Sequence, residues 1–393
     1  MTGVGSVDEV VAAFRSSHGR EPEVVVRAPG RVNLLGAHVD YNEGWVLPGA
    51  IDRGIWLAAD RRPDRSVKLT AVNLGKRGSF DLDHLPPSPD HEGRETGWTD
   101  YPKAVAWALA AAGHELDGLE IAYGGDLPMA AGVSSSAALE MAFVLAWSEL
   151  SGLEFERSEA RAEIGRRAEN DYLGVGSGIM DQYASLFGRL DHLVLIDCRT
   201  YEHELVPLPA GTCVLVADTG VRRQLVGSDF NQRRNECEQA TELLSRWLPG
   251  VRALRDVVPA DLEPLATELP AVLARRARHV VEECQRVQHG AAALRAGDLE
   301  AFGKLVIASH ESSRDLYEVS IPELDLLAET AWSSPGCYGA RLTGAGFGGC
   351  VTALVDEEAA PLTAKSLVSA FGETFGYEPA VFWCRVADGA TVL

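Results

Sequence analysis

Apolar positions in this chain fall into short runs typical of strands and longer stretches with helical spacing. Residues 23–28 (EVVVRA) predict a strand that stops at Pro29-Gly30. Further strands are expected over 45–52, 54–59, 119–123, 193–197, 214–217 and 350–355, with strand-like residues at 341–343. The stretch 137–150 (AALEMAFVLAWSEL) is apolar nearly all round and predicts a helix buried on most faces. A more charged helix is expected over 156–170, and long helical stretches over 231–247, 273–296 and 299–312. Strands and helices mix without strict alternation, which points to an α+β fold. The N-terminal MTGVGSVDEVVAAF lacks a basic leader and a long apolar core, so it reads as an amphipathic helix and not as a signal peptide.

At 393 residues the chain exceeds one ordinary hydrophobic core. Two domains are expected, 1–205 and 206–393, divided in a turn-rich stretch near 205. The formal net charge of −21 argues against nucleic acid or an anionic membrane as partner. No run of 18 apolar residues offers a membrane span. The seven cysteines are scattered, with no CxxC pair and no zinc-like Cys/His cluster. They read as free thiols of a reducing cytoplasm. Residues 85–93 form a polar, proline-rich surface loop.

The segment 126–139 (DLPMAAGVSSSAAL) carries the most local chemistry. A strand leads into small residues, three serines and the buried helix. Ala130, Ala131, Gly132 and Val133 would let phosphate oxygens approach backbone N–H groups, and Ser134, Ser135 and Ser136 add hydroxyls at a helix start. It is neither a Walker A loop nor a GxGxxG fingerprint. Taken alone, the segment fits a serine-capped core helix equally well. A second cluster, 343–349 (TGAGFGG), carries four glycines and fits a loop packed against a ligand or another loop.

Three segments together resemble the galactokinases of the GHMP small-molecule kinases: 28–42 (APGRVNLLGAHVDYN), the serine loop, and 341–350 (RLTGAGFGGC). Stretches 178–183, 228–234 and 316–325 agree, so the resemblance runs from about residue 25 to the C-terminus. It implies a ribosomal-S5-like N-terminal domain and a ferredoxin-like C-terminal domain, with ATP and sugar meeting between them. It implies transfer of the γ-phosphoryl group of MgATP to the anomeric hydroxyl of a galactose-like sugar. Asp181 matches the catalytic carboxylate and Arg31 the active-site arginine, which also contacts the sugar. His38, Asp40 and Gly178 match sugar-contacting positions; Ser136 and Glu169, the latter twelve residues before Asp181, match the magnesium ligands. Gly346 joins the residues around ATP. A monomer in the cytoplasm is the expectation.

Four positions depart from the family pattern. Ala37 stands where galactokinases carry a glutamate that contacts the sugar's C6 hydroxyl, and Phe230 where a tyrosine is common. Both remove polar atoms from the sugar pocket. L-arabinose, without C6, or galacturonic acid, with a C6 carboxylate, therefore stand beside galactose. Galacturonokinases share the alanine, and His38 is a candidate cation for that carboxylate. Ala130 and Ala345 replace usual glycines, which would matter only at positive φ. These two alanines also leave a non-catalytic sugar and ATP sensor as a further alternative.

Overall fold

One long antiparallel pair organises the N-terminal part of the molecule. In the computed structural model, which describes residues 5–85, 97–128, 132–222 and 229–393, β1 (Val24–Leu35) pairs with β2 (Trp45–Arg62). The first strand does not stop at Pro29-Gly30. It continues, and the register slips between Pro29 and Arg31, where proline cannot donate to the ladder. Gly54 lies opposite Pro29, and a Cβ there would meet the Ala28 carbonyl at 2.7 Å. The two short strands expected over 45–59 are thus one.

Strands β3 (Ser66–Ala71), β4 (Lys76–Asp81), β5 (Gly118–Gly125), β6 (His192–Asp197) and β7 (His203–Pro207) extend this sheet. Its β3–β5 pair is parallel and its other pairs antiparallel. The next strand, β8 (Thr212–Asp218), belongs to a second sheet with β9 (Cys337–Thr343), β10 (Cys350–Asp356) and β11 (Ala380–Cys384), ordered β11-β8-β10-β9 and fully antiparallel. The chain then returns to the first sheet, where β12 (Thr391–Val392) pairs with β1.

The amphipathic start forms α1 (Val7–His18), which packs on β2 and β5. Helix α2 (Asp100–Ala111) packs on α3 (Ser135–Leu150), which covers the first sheet over β1 and β2, and the two share the same core. Phe143 and Trp147 of α3 are fully buried, each contributing about 2–3 kcal/mol of hydrophobic stabilisation. The charged helix begins later than expected, as α4 (Ala160–Arg167), and widens into a π-helical turn over Ala168–Tyr172. Then α5 (Met180–Phe187) packs against α3. Helices α6 (Asp229–Leu244) and α7 (Pro259–Leu265) are carried by α8 (Ala271–Arg295), which packs on β1, β2 and β7 of the first sheet, while α9 (Leu299–Asp315), α10 (Pro322–Trp332) and α11 (Ala360–Phe375) pack on the second. No helix among the described residues is long and apolar enough to cross a membrane.

Candidate active site

The register slip in β1 sets Arg31 under the serine loop. Its backbone N–H donates to the Val133 carbonyl at 3.1 Å and its Nη1 to the Gly132 carbonyl at 2.7 Å. Gly30 permits this approach, since a Cβ there would lie 2.7 Å from the same Val133 oxygen. The rest of the guanidinium grips Asp181, at the start of α5: Nε and Nη2 each reach a separate carboxylate oxygen at 2.7 Å. Arg31 is 3% exposed, so the fork is held rigidly.

The serines do not cap α3. Ser134 occupies the N-cap position at φ 55°, a left-handed conformation uncommon for a non-glycine residue, and makes no side-chain capping bond. Its hydroxyl donates to Asp181 instead. Ser136 likewise turns to Glu169, 3.0 Å from Oε1. Glu169 sits in the π-helical turn, a geometry frequent at functional sites. Its Oε2 accepts from Ser177 at 2.6 Å and from Gln182 at 3.1 Å. Burial, then the charge of Asp181, push the Glu169 carboxyl above the usual range. The donors that reach this buried acid are all neutral, which suits a carboxylate that meets a cation.

These groups open onto one cavity of about 520 Å³. Its walls bring together Arg31, Ala37, His38, Asp40, Gly132, Ser134, Ser135 and Ser136 with Glu169, Gly178, Asp181, Phe230 and Gly346. Val133 is buried behind this wall. Ala130 and Ala131 lie outside the described residues. Asp40 and Gly178 are in close contact: a Cβ on Gly178 would fall 2.1 Å from Asp40 Oδ2. Desolvation and the charge of Asp181 raise the Asp40 carboxyl to about 6.

His38 is not the cation considered for a C6 carboxylate. Burial and neighbouring His279 hold it down to about 3, leaving it neutral. One ring nitrogen bonds the Tyr41 hydroxyl at 2.7 Å and the other the Ala345 carbonyl at 3.0 Å, which ties the first motif to the second glycine cluster.

That cluster is a loop packed on a loop. A Cβ on Gly132 (φ +73°) would approach the Thr343 carbonyl to 3.1 Å, and one on Gly344 (φ +81°) would lie 3.3 Å from Gly132 Cα. Gly346, at φ +77°, also needs to be glycine. Ala345 is not among the positive-φ positions, so its methyl group causes no backbone strain.

Sequence reasoning missed other cavity-lining residues, among them Asn33, Tyr101, Ser177, Arg222 and Arg341. Arg341 lies in the segment that carries the resemblance, yet spacing gave no sign that its side chain faces the cavity.

Two sheets meeting around an open helix N-terminus, with a fixed arginine–aspartate pair beside it, define a kinase of the GHMP class. The chain matches the GHMP kinases N terminal domain over 100–189 and the GHMP kinases C terminal over 291–373. A mevalonate kinase structure shares the fold, with a TM-score of 0.64 at 20% identity over 93% of this chain and 100% of that one. Residues 12–61 match the galactokinase galactose-binding signature. The galactokinase of Roseiflexus sp. (strain RS-1) is 45% identical over 381 residues, covering 97% of this chain and 96% of that protein. That of Streptococcus mutans is 40% identical over 390 residues, covering 98% of each. The crystal structure of Lactococcus lactis galactokinase complexed with galactose matches with a TM-score of 0.91 at 35% identity, over 98% of this chain and 100% of that one. The chain belongs to the galactokinase family and is an ATP-dependent sugar kinase of galactokinase type.

Proposed function

We propose that this kinase transfers the γ-phosphoryl group of MgATP to the anomeric hydroxyl of D-galactose, with Asp181 and Arg31 at the reacting centre. The observation that carries this reading is the Arg31–Asp181 fork, joined by the Ser134 hydroxyl, at the mouth of an uncapped helix. Asp181 orients the anomeric hydroxyl and accepts its proton as the sugar oxygen bonds to the γ-phosphorus and the bond from that phosphorus to the bridging oxygen breaks, releasing ADP. Arg31 fixes that carboxylate and offsets charge on the transferred group. A loose phosphoryl transition state asks for positioning and charge neutralisation more than for a strong base.

The backbone N–H groups of 134–136 and of the facing glycine loop receive the phosphates, aided by the positive end of α3. Ser136 and Glu169 would hold magnesium, which supplies charge neutralisation to the phosphates; two protein oxygens suffice for an ion that keeps its waters. Asp40, backed by Gly178, accepts from two neighbouring sugar hydroxyls and so reads their stereochemistry. His38 and Phe230 shape the wall beside it. We read the enzyme as a monomer, and a scattered set of free thiols supports a cytoplasmic one.

One observation favours a second reading, a sugar acid in place of galactose. Arg341 lines the cavity, is 1% exposed, and has an Nη1 without a hydrogen-bond partner. Glu283 Oε1, 3.8 Å from it, is engaged by the N–H groups of Gly36 and Ala37 and by Ser309. A buried guanidinium lining the same cavity as Ala37 suits a carboxylate at C6.

Initial-rate ATP consumption with D-galactose, D-galacturonic acid, L-arabinose and D-glucose tests both readings. Turnover of D-galactose and not D-glucose is expected. Galacturonic acid as the better substrate would replace the first reading by the second, and binding of sugar and ATP without any turnover would leave a sensor. Ala37→Glu, which sets a carboxylate in the cavity that Arg341 lines, is expected to move the kcat/KM ratio towards galactose about tenfold or more.

A further inference from the structure

The helix that starts at the serine loop carries one charged residue in its apolar interior. Glu140 is 0% exposed, amid Ala137, Ala138, Met141 and Phe143. Its Oε2 accepts from Gln182 Nε2 at 2.9 Å. That same nitrogen donates to Glu169 Oε2 at 3.1 Å. A primary amide nitrogen has two N–H bonds, so one points to each carboxyl group and none is left over.

We propose that Glu140 and Gln182, neither of which lines the cavity, are positioning residues that set the carboxylate of Glu169 for magnesium. This rests on the role given to Glu169 above. Ser136 fixes one oxygen of Glu169; Ser177 and Gln182 fix the other. Gln182 can do so only while its amide stays turned with nitrogen towards Glu169, and Glu140 is the acceptor that holds it there. Rotated by half a turn, the amide would set its own carbonyl oxygen against a carboxylate.

Two further features accompany the pair. Glu140 Oε1 and Gln182 Oε1 are buried with no hydrogen-bond partner, an arrangement that apolar residues of similar volume would avoid. Helix α4 also makes room for the pair. A Cβ on Gly165 would meet Met141 Cε at 2.6 Å, Gln182 Cγ at 2.7 Å and Glu140 Oε2 at 3.2 Å.

The test is Mn²⁺ affinity, read by electron paramagnetic resonance on the protein with a non-hydrolysable ATP analogue, alongside KM for Mg²⁺ and for sugar. Glu140→Leu is expected to weaken Mn²⁺ binding about tenfold or more and to raise the Mg²⁺ requirement, with sugar KM within about twofold of wild type. Glu140→Gln, which keeps an acceptor oxygen for the Gln182 amide, is expected to restore both. A folded Glu140→Leu protein with wild-type Mn²⁺ affinity overturns the proposal. If that variant does not fold, Gln182→Met in the same titration decides, by the same criterion. Glu169→Gln is the control: wild-type Mn²⁺ affinity there would remove the cation role itself, and this proposal with it.

Discussion

Arg31 and Asp181, 150 residues apart in sequence, meet through two parallel bonds of 2.7 Å each. Arg31 is buried and Asp181 is partly open to the cavity, so the pair presents a carboxylate whose direction is set from behind. Asp181→Ala removes the group that orients the sugar hydroxyl, and kcat is expected to fall at least about a hundredfold while far-ultraviolet circular dichroism stays native. Activity above about one per cent of wild type would refute its role. Arg31→Lys keeps the charge and loses the fork together with the bond to Gly132. A drop in kcat of about tenfold or more is expected from steady-state kinetics, and an unchanged kcat would remove Arg31 from the reacting centre.

Gly178 offers a test of the sugar subsite that leaves the reacting pair alone. A methyl group there would overlap Asp40, at 2.1 Å from Oδ2 and 2.4 Å from the carboxyl carbon. Asp40 must turn away or the loop must move. Gly178→Ala is expected to raise sugar KM about tenfold or more with ATP KM within about twofold. If equilibrium binding showed wild-type sugar affinity, Asp40 would not be a sugar contact.

Much of this arrangement is legible in the sequence, because its parts lie in compact motifs. The serine loop reads as strand, small residues and helix, and α3 forms where the apolar run predicts it. What the sequence leaves open is the direction of side chains. Ser134 is equally suited to capping and to Asp181, and only the left-handed backbone at that position decides between them. Pro29-Gly30 marks an irregularity in β1 but not whether the strand stops or slips. Glu140 is lost inside an apolar stretch, since its partner Gln182 is 42 residues away on another helix. An acid in the middle of a helix buried on most faces is the one signal that could have drawn attention to it.

The loop contact between Gly132 and Gly344 separates the two kinds of small residue in the nucleotide motifs. Gly344→Ala forces an L-residue to φ +81° with its methyl group 3.3 Å from Gly132 Cα. ATP KM is expected to rise about tenfold, with a fall in melting temperature. Ala345→Gly is expected to change ATP KM by less than about twofold, because Ala345 is not at positive φ and its carbonyl bond to His38 does not depend on the methyl group. A clear gain in ATP affinity for that variant would show that the methyl group does obstruct the nucleotide.

The pH dependence of sugar binding reports on Asp40. Its carboxyl is raised to about 6, by desolvation first and then by the charge of Asp181. Sugar hydroxyls donate, so the competent form is the ionised one, with both oxygens free to accept. Binding then requires a proton to leave whenever the pH is below about 6. The sign follows: sugar affinity is full above that value and is lost as pH falls through it, by at most about tenfold per pH unit for one proton. Binding measured by calorimetry, without turnover, separates this from any titration that affects chemistry. Between pH 8 and 6.5 affinity should be nearly level, and at pH 5 it should be weaker by about tenfold. Asp40→Asn, which cannot accept at both positions, should bind weakly at every pH and show no such step. Affinity that stays level from pH 8 to pH 5 in the wild-type protein would mean that Asp40 does not have to ionise for the sugar to bind, and the reading of galacto stereochemistry would have to be sought elsewhere on the cavity wall.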